Sequence, residues 1–143
     1  MTEKGMKDGI LPVQQIRAEI AAGRIAAPTA ITEAQLQPAS MDLRLGTRGW
    51  RVRSSFLPGA GTSVAQKLDN FAMHQIDLSD GAVLERGCVY IVELQESLAL
   101  PDALSALANP KSTTGRLDVF TRLITDGATE FEAVINGYHG ALY

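Results

Sequence analysis

Cys88-Val89-Tyr90-Ile91-Val92-Glu93-Leu94 is the stretch that decides the fold class. β-Branched and aromatic residues dominate it. Such side chains suit a pleated, packed surface and lose rotamer freedom on a helix. The segment therefore reads as a buried strand. Upstream of it, Ile76 and Leu78 alternate with polar neighbours, and Ser79-Asp80-Gly81 supplies turn residues. Downstream, Leu117 to Ile124 carries apolar residues on both faces, as an inner strand does. Many short strands separated by glycine and proline point to a barrel or sandwich.

Two helices are expected within this β pattern. Pro12 opens the first, because the N–H it lacks has no helical partner at that position. Val13, Ile16 and Ile20 then recur at helical spacing, and Gly23 is the expected stop. The second is a short helix from Ser63, as N-cap, through Val64, Leu68 and Phe71. Ser54 to Thr62 reads as a long loop. Gly137-Tyr138-His139-Gly140-Ala141-Leu142-Tyr143 reads as a turn and the opening residues of a strand, so residues 1–143 are expected to form a single domain truncated at its C-terminus.

A chain of 143 residues suits one domain, and domains of that size bury about 68–70% of the surface the unfolded chain exposes. Apolar residues make up 45% and charged residues 20%, which excludes a disordered chain. The formal charge of -3 provides no basic field for a nucleic-acid polymer, whose non-specific affinity is mostly phosphate neutralisation. A nucleotide needs only a few local cations. Cys88 is the only cysteine, so no internal disulfide forms, and its apolar run predicts a buried, inert thiol. No apolar stretch is long enough for a membrane span, and Met1-Thr2-Glu3-Lys4-Gly5 has no apolar signal core behind it. A cytoplasmic location is expected.

Functional potential is densest at Asn109-Pro110-Lys111-Ser112-Thr113-Thr114-Gly115-Arg116. Lysine offers a point charge to phosphate oxygens and arginine a planar fork. Ser112, Thr113 and Thr114 add hydroxyls, and Gly115 lets the backbone come close to a ligand. The plainer reading is an exposed polar turn with solvated charges. The segment is not a Walker loop, whose G-x-x-x-x-G-K-[ST] spacing is absent.

Lys111-Ser112-Thr113-Thr114-Gly115-Arg116 resembles the signature of the dCTP deaminase family, in which Lys or Arg precedes Ser-Ser, a variable pair and Arg. Leu36-Gln37-Pro38-Ala39-Ser40-Met41-Asp42-Leu43-Arg44-Leu45-Gly46 is similar to the family's Q-P-A-S-x-D-L-R-L-G stretch. Ile10-Leu11-Pro12 opens a helix where that family begins with one. Val83-Leu84-Glu85-Arg86-Gly87-Cys88 and Leu117-Asp118-Val119-Phe120-Thr121-Arg122 resemble the longer bacterial form, built of two tandem halves. This chain then corresponds to most of the first half.

The resemblance implies a mainly β, dUTPase-like (β-clip) distorted barrel with an N-terminal helix and one further short helix. It implies hydrolytic deamination of dCTP to dUTP and ammonia, in the supply of dUMP and dTTP. Water adds to C4 of the cytosine ring, and a glutamate acts as general base. Aligned on Gly137-Tyr138-His139-Gly140, that glutamate falls just beyond Tyr143. Ser112 and Arg116 match the catalytic residues that position the water and support the reacting centre. Lys111, Ser112, Thr113, Thr114, Gly115 and Arg116 would wrap the triphosphate, and Tyr143 falls at a substrate-contacting backbone position. The resemblance also implies a homotrimer with active sites between subunits, dTTP as an inhibitor, and no protein-bound metal, Mg2+ arriving on the triphosphate.

In one respect the chain departs from the family. An acidic residue commonly stands ahead of the turn, where this chain has Ile135, so a pyrophosphatase step from dUTP to dUMP lacks its carboxylate. Asp126 and Glu132 are loop carboxylates that could reach the site. The zinc route to cytosine deamination needs H-x-E and P-C-x-x-C patterns that the one cysteine, His74 and His139 do not supply. His74 is expected on a half-buried strand, His139 in a turn, and Trp50, near Arg51 and Arg53, in edge-strand packing. Two other functions stay open at this level: a dUTPase-like nucleotide pyrophosphatase, and a non-catalytic regulatory module that binds dCTP or dTTP.

Overall fold

The computed structural model describes residues 8–143. The reading of Met1–Gly5 lies outside them. Chain order is α1 (Val13–Ala21), β1 (Ile25–Ala26), a 3-10 turn (Glu33–Gln35), β2 (Leu36–Gln37), β3 (Ser40–Met41) and β4 (Leu45–Val52). Then come α2 (Val64–Phe71), β5 (Ala72–Asp77), β6 (Val89–Leu94), β7 (Ser97–Ala99), β8 (Ala106–Leu107), α3 (Ser112–Arg116), β9 (Ala133–Val134) and β10 (His139–Ala141).

Both expected helices form as their end signals dictate. Pro12 is the extended N-cap of α1, Ile16 is its buried residue, and Gly23 closes it with φ 73°. At α2, the Ser63 hydroxyl accepts from the Gln66 N–H (3.1 Å) and the Gln66 side chain accepts from the Ser63 N–H (2.8 Å). This reciprocal box satisfies donors that the first helical turn leaves free. Val64 and Leu68 then face inward, at 0% and 6% exposure.

The strands pair antiparallel in four small sheets, ordered β5-β4-β6, β1-β7-β10, β2-β3 and β8-β9. The mainly β class holds, but these sheets do not close into a barrel among the described residues. In β4 the register against β6 shifts between Leu45 and Gly49, as at a bulge. Two apolar clusters form the core. One joins Val52, Phe56, Val64, Leu68 and Ile124; the other joins Leu100, Leu123, Val134, Tyr138 and Leu142. Burying a side chain of this size contributes roughly 1.5–3 kcal/mol.

Several expectations are corrected. Leu117–Ile124 is not an inner strand: Leu117 and Phe120 are 76% and 85% exposed, and only Leu123 and Ile124 are buried. Asp118 takes φ 60° and Val119 N–H returns to the Thr114 carbonyl (3.1 Å), so the chain coils back on α3 instead of extending. Ser112–Arg116, expected as a polar turn, forms a third helix where two were expected. Strand β6 is at most half-buried, and Cys88 is not an enclosed thiol: Arg51 Nη2 lies 3.0 Å from its sulfur. Trp50 sits on the central strand β4 and packs against the first core, so it is not an edge residue. His139 belongs to β10, with Nε2 3.1 Å from the Leu100 carbonyl.

The turn before β10 needs its glycines. Gly137 has φ 66°, and a Cβ there would stand 2.6 Å from Asp102 Oδ1. A Cβ on Gly140 would stand 2.7 Å from the Tyr138 hydroxyl. That hydroxyl donates to the Ala141 carbonyl (2.6 Å) and accepts from the Asp126 N–H (3.2 Å). The arrangement fixes the C-terminal strand against the loop beside it.

Candidate active site

The site begins with a buried carboxylate. Glu96, whose side chain is 0% exposed, accepts from Arg44 Nε (2.8 Å), the Arg44 backbone N–H (2.8 Å) and Gln35 Nε2 (3.0 Å). Arg44 also reaches the carbonyls of Ala30 (3.1 Å) and Thr29 (2.9 Å). A charge removed from water is tolerated only when hydrogen bonds replace its hydration, and this one is surrounded by donors. The network fixes the backbone next to it: Asp42 N–H donates to the Gln35 carbonyl (2.8 Å), and the Asp42 carbonyl accepts from Gln35 Nε2 (3.0 Å).

From that fixed position the Asp42 carboxylate pairs with the Lys111 ammonium, 69 residues away in sequence. Lys111 is the N-cap residue of α3, so the ion pair anchors the start of the predicted bend. Thr114 completes the turn, its hydroxyl and N–H both donating to the Lys111 carbonyl (2.6 and 3.1 Å). Ser112, Thr113, Gly115 and Arg116 are exposed and Thr114 is half-buried. A Cβ on Gly115 would meet open space. The bend therefore exists as a compact turn that presents its hydroxyls and Arg116 to solvent.

Tyr143 is held elsewhere. It packs against the first core and exchanges both backbone hydrogen bonds with Ile124 (3.1 and 3.0 Å). Burial holds its hydroxyl above the ordinary tyrosine value. No hydrogen bond among the described residues joins it to the bend. Tyr143 and the bend are thus held by different contacts, the first core and Ile124 for one and Asp42 for the other.

Both loop carboxylates have structural tasks. Asp126 Oδ1 accepts from the Val64 N–H at the start of α2 (2.7 Å). Glu132 accepts from Arg122 Nε (2.8 and 3.0 Å) and from the Leu123 N–H (3.2 Å). The Arg122 hydrogen bond holds the Glu132 carboxyl below the usual range, and the guanidinium lies 4.5 Å from the Phe131 ring centre.

Sequence reasoning missed the Glu96 network. Its only signal is an acid at the junction of two strands, Leu94-Gln95-Glu96-Ser97-Leu98, which a solvated turn would share. It also missed a cleft of about 580 Å³ at the β4 bulge, bordered by Gly46, Arg48, Glu93, Gln95 and Ala141. None of Lys111 to Arg116 lines that cleft.

Residues 7–143 match the family of the 2'-deoxycytidine 5'-triphosphate deaminase (DCD) N-terminal domain. The chain belongs to this family. It is similar to a curated protein of Beutenbergia cavernae named "dCTP deaminase, dUMP-forming", at 30% identity over 112 residues, covering 78% of this chain and 57% of that protein. It is also similar to a solved structure of 2'-deoxycytidine 5'-triphosphate deaminase from Agrobacterium tumefaciens. There the TM-score is 0.90 and the identity 56%, over 94% of this chain and 40% of the other. The chain thus spans just over half of one relative and two fifths of the other. The fold is the dUTPase-like one expected from the two motif segments.

Proposed function

We propose that this chain is the nucleotide-gripping part of a hydrolase that deaminates dCTP to dUTP and ammonia. One observation carries the reading. The signature bend and the Q-P-A-S-M-D-L-R-L-G block, far apart in sequence, meet in the ion pair of Lys111 with Asp42. A fold that merely tolerated a polar turn would not need to tether it to the second recognisable segment.

In this reading the bend wraps the triphosphate of Mg2+·dCTP. Lys111 and Arg116 neutralise phosphate charge, and the hydroxyls of Ser112, Thr113 and Thr114, with the Gly115 backbone, donate hydrogen bonds. Ser112 also positions a water against C4 of the ring. A glutamate beyond Tyr143 takes the proton of that water, Arg116 supports the charge that develops, and the proton returns to the departing ammonia. The Tyr143 backbone contributes a substrate contact. Leu117 and Phe120, exposed beside the bend, support a subunit surface there, in keeping with a homotrimer.

The test is product analysis with the complete protein. Ammonia and dUTP in equal amounts are expected from dCTP, and the 143-residue piece alone should be inactive. Pyrophosphate from dUTP without ammonia from dCTP would replace this reading with a pyrophosphatase. A tight dCTP or dTTP complex without turnover would replace it with a regulatory module. The Beutenbergia relative's name favours a second reading, in which the product continues to dUMP. Against it, Ile135 stands where the carboxylate for that step is expected, and the residue is 67% exposed. The expected end product is therefore dUTP, and accumulation of dUMP with pyrophosphate would overturn that choice.

A further inference from the structure

We infer that Asp42 is a positioning residue for substrate binding: it holds the Lys111 ammonium in place for the phosphate chain. The inference rests on the proposed function and adds a residue to it. Asp42 is not a loose surface acid. Its N–H and carbonyl are both bonded to Gln35, whose side chain is tied to the buried Glu96, and Glu96 in turn holds the Arg44 backbone (2.8 Å). The carboxylate is therefore presented from a fixed backbone, and its side chain is 31% exposed against 59% for Lys111.

Two physical consequences follow. A free lysine has many rotamers and loses that freedom on binding a ligand; one held by a fixed carboxylate has lost much of it already. An ammonium has three donors, so the bond to Asp42 leaves two for phosphate oxygens. The carboxylate's own charge opposes an incoming polyanion, but contact with Lys111 offsets it, and solvent screens the remainder. The pair also fixes the residue from which α3 starts. Positioning outweighs repulsion.

A double-mutant cycle in the complete protein tests this, reading KM and kcat for dCTP, dCTP Kd by calorimetry, and the thermal midpoint. Asp42→Asn should raise KM and Kd about three- to fivefold, the upper range for a solvent-accessible pair, with kcat within about twofold. Asp42→Glu should recover part of the loss. In a Lys111→Ala background, Asp42→Asn should no longer raise KM or Kd, and relief of the uncompensated charge should lower them or leave them level, because the group it positions is gone. An unchanged or lowered KM and Kd for Asp42→Asn alone, or an equal rise without Lys111, would overturn the inference. A fall in kcat together with the thermal midpoint, without a change in Kd, would reduce Asp42 to a structural part and also overturn it. The wild-type control separates the two readings: no ammonia from dCTP defeats the deaminase, while the Kd cycle still decides the role of Asp42.

Discussion

Two ion pairs of similar chemistry divide the labour in this domain. Arg44–Glu96 is drawn inside, with side-chain exposures of 24% and 0%, and Arg44 Nε, the Arg44 N–H and Gln35 Nε2 all donate to the carboxylate. Lys111–Asp42 stays wet, at 59% and 31%. The first fixes a loop; the second ties the exposed bend from Lys111 to Arg116 to that loop. In the proposed reading, rigidity and substrate binding are built next to each other with similar ionic groups, and burial separates the two pairs. Charges meant to meet a substrate keep access to water, because a fully satisfied buried charge has no bond left to offer.

The comparison breaks first at Arg116. Its side chain belongs to the open region and supports no part of the core, so Arg116→Ala in the complete protein should leave the thermal midpoint nearly unchanged. Turnover should fall on the order of 10²–10³-fold, as when a charge-stabilising group is removed from an active site. Near-normal dCTP turnover would show that the bend is only a surface turn.

Glu96→Ala asks the opposite question. It strands Arg44 and Gln35 beside a void, and breaking a buried pair from one side costs about 3–5 kcal/mol. Urea unfolding should show that loss. A loss below about 1 kcal/mol would mean that the network is incidental and that Asp42 is not held from behind.

How much of this was legible beforehand follows the same division. Local signals read correctly: Pro12 and Gly23 bound one helix, and the Ser63 box starts another, because caps act within a turn of chain. The Lys111–Arg116 cluster was legible as chemistry, since charge and hydroxyl density need no fold to be recognised. Leu117–Ile124 misled because a short apolar run does not separate a buried strand from an exposed segment, and the left-handed Asp118 that bends it leaves no mark in periodicity. Glu96 was unreadable for a different reason. A buried acid and a solvated one are the same letter, and only partners 52 and 61 residues away in sequence distinguish them.

A smaller effect sharpens the geometry of the C-terminal strand. Gly140→Ala would place a methyl carbon at 2.7 Å from the Tyr138 hydroxyl, an overpacking cost of about 1–3 kcal/mol. Tyr138→Phe removes that oxygen, so the double variant should recover part of the loss. If the two losses add fully instead, the hydroxyl is not what Gly140 accommodates.

The smallest effect is expected at a third pair, Arg17–Glu33, which is exposed on both sides at 48% and 74%. It has two guanidinium hydrogen bonds, 2.7 and 3.2 Å, where the buried pair has one of 2.8 Å and a second from the Arg44 backbone. The hydrogen bond from Arg17 holds the Glu33 carboxyl below its ordinary value of 4.5. Any stability this adds is present above that value and is lost as pH falls through the lowered one. Solvent screens an exposed pair, and ordering two long side chains opposes it. Arg17→Ala should therefore lower the thermal midpoint only slightly at pH 7, and that small difference from wild type should fade as pH drops toward 3. A clear drop at pH 7 that vanishes in acid would mean that geometry alone, without burial, gives an ion pair its weight. The contrast between Arg44–Glu96 and Lys111–Asp42 would then need another cause.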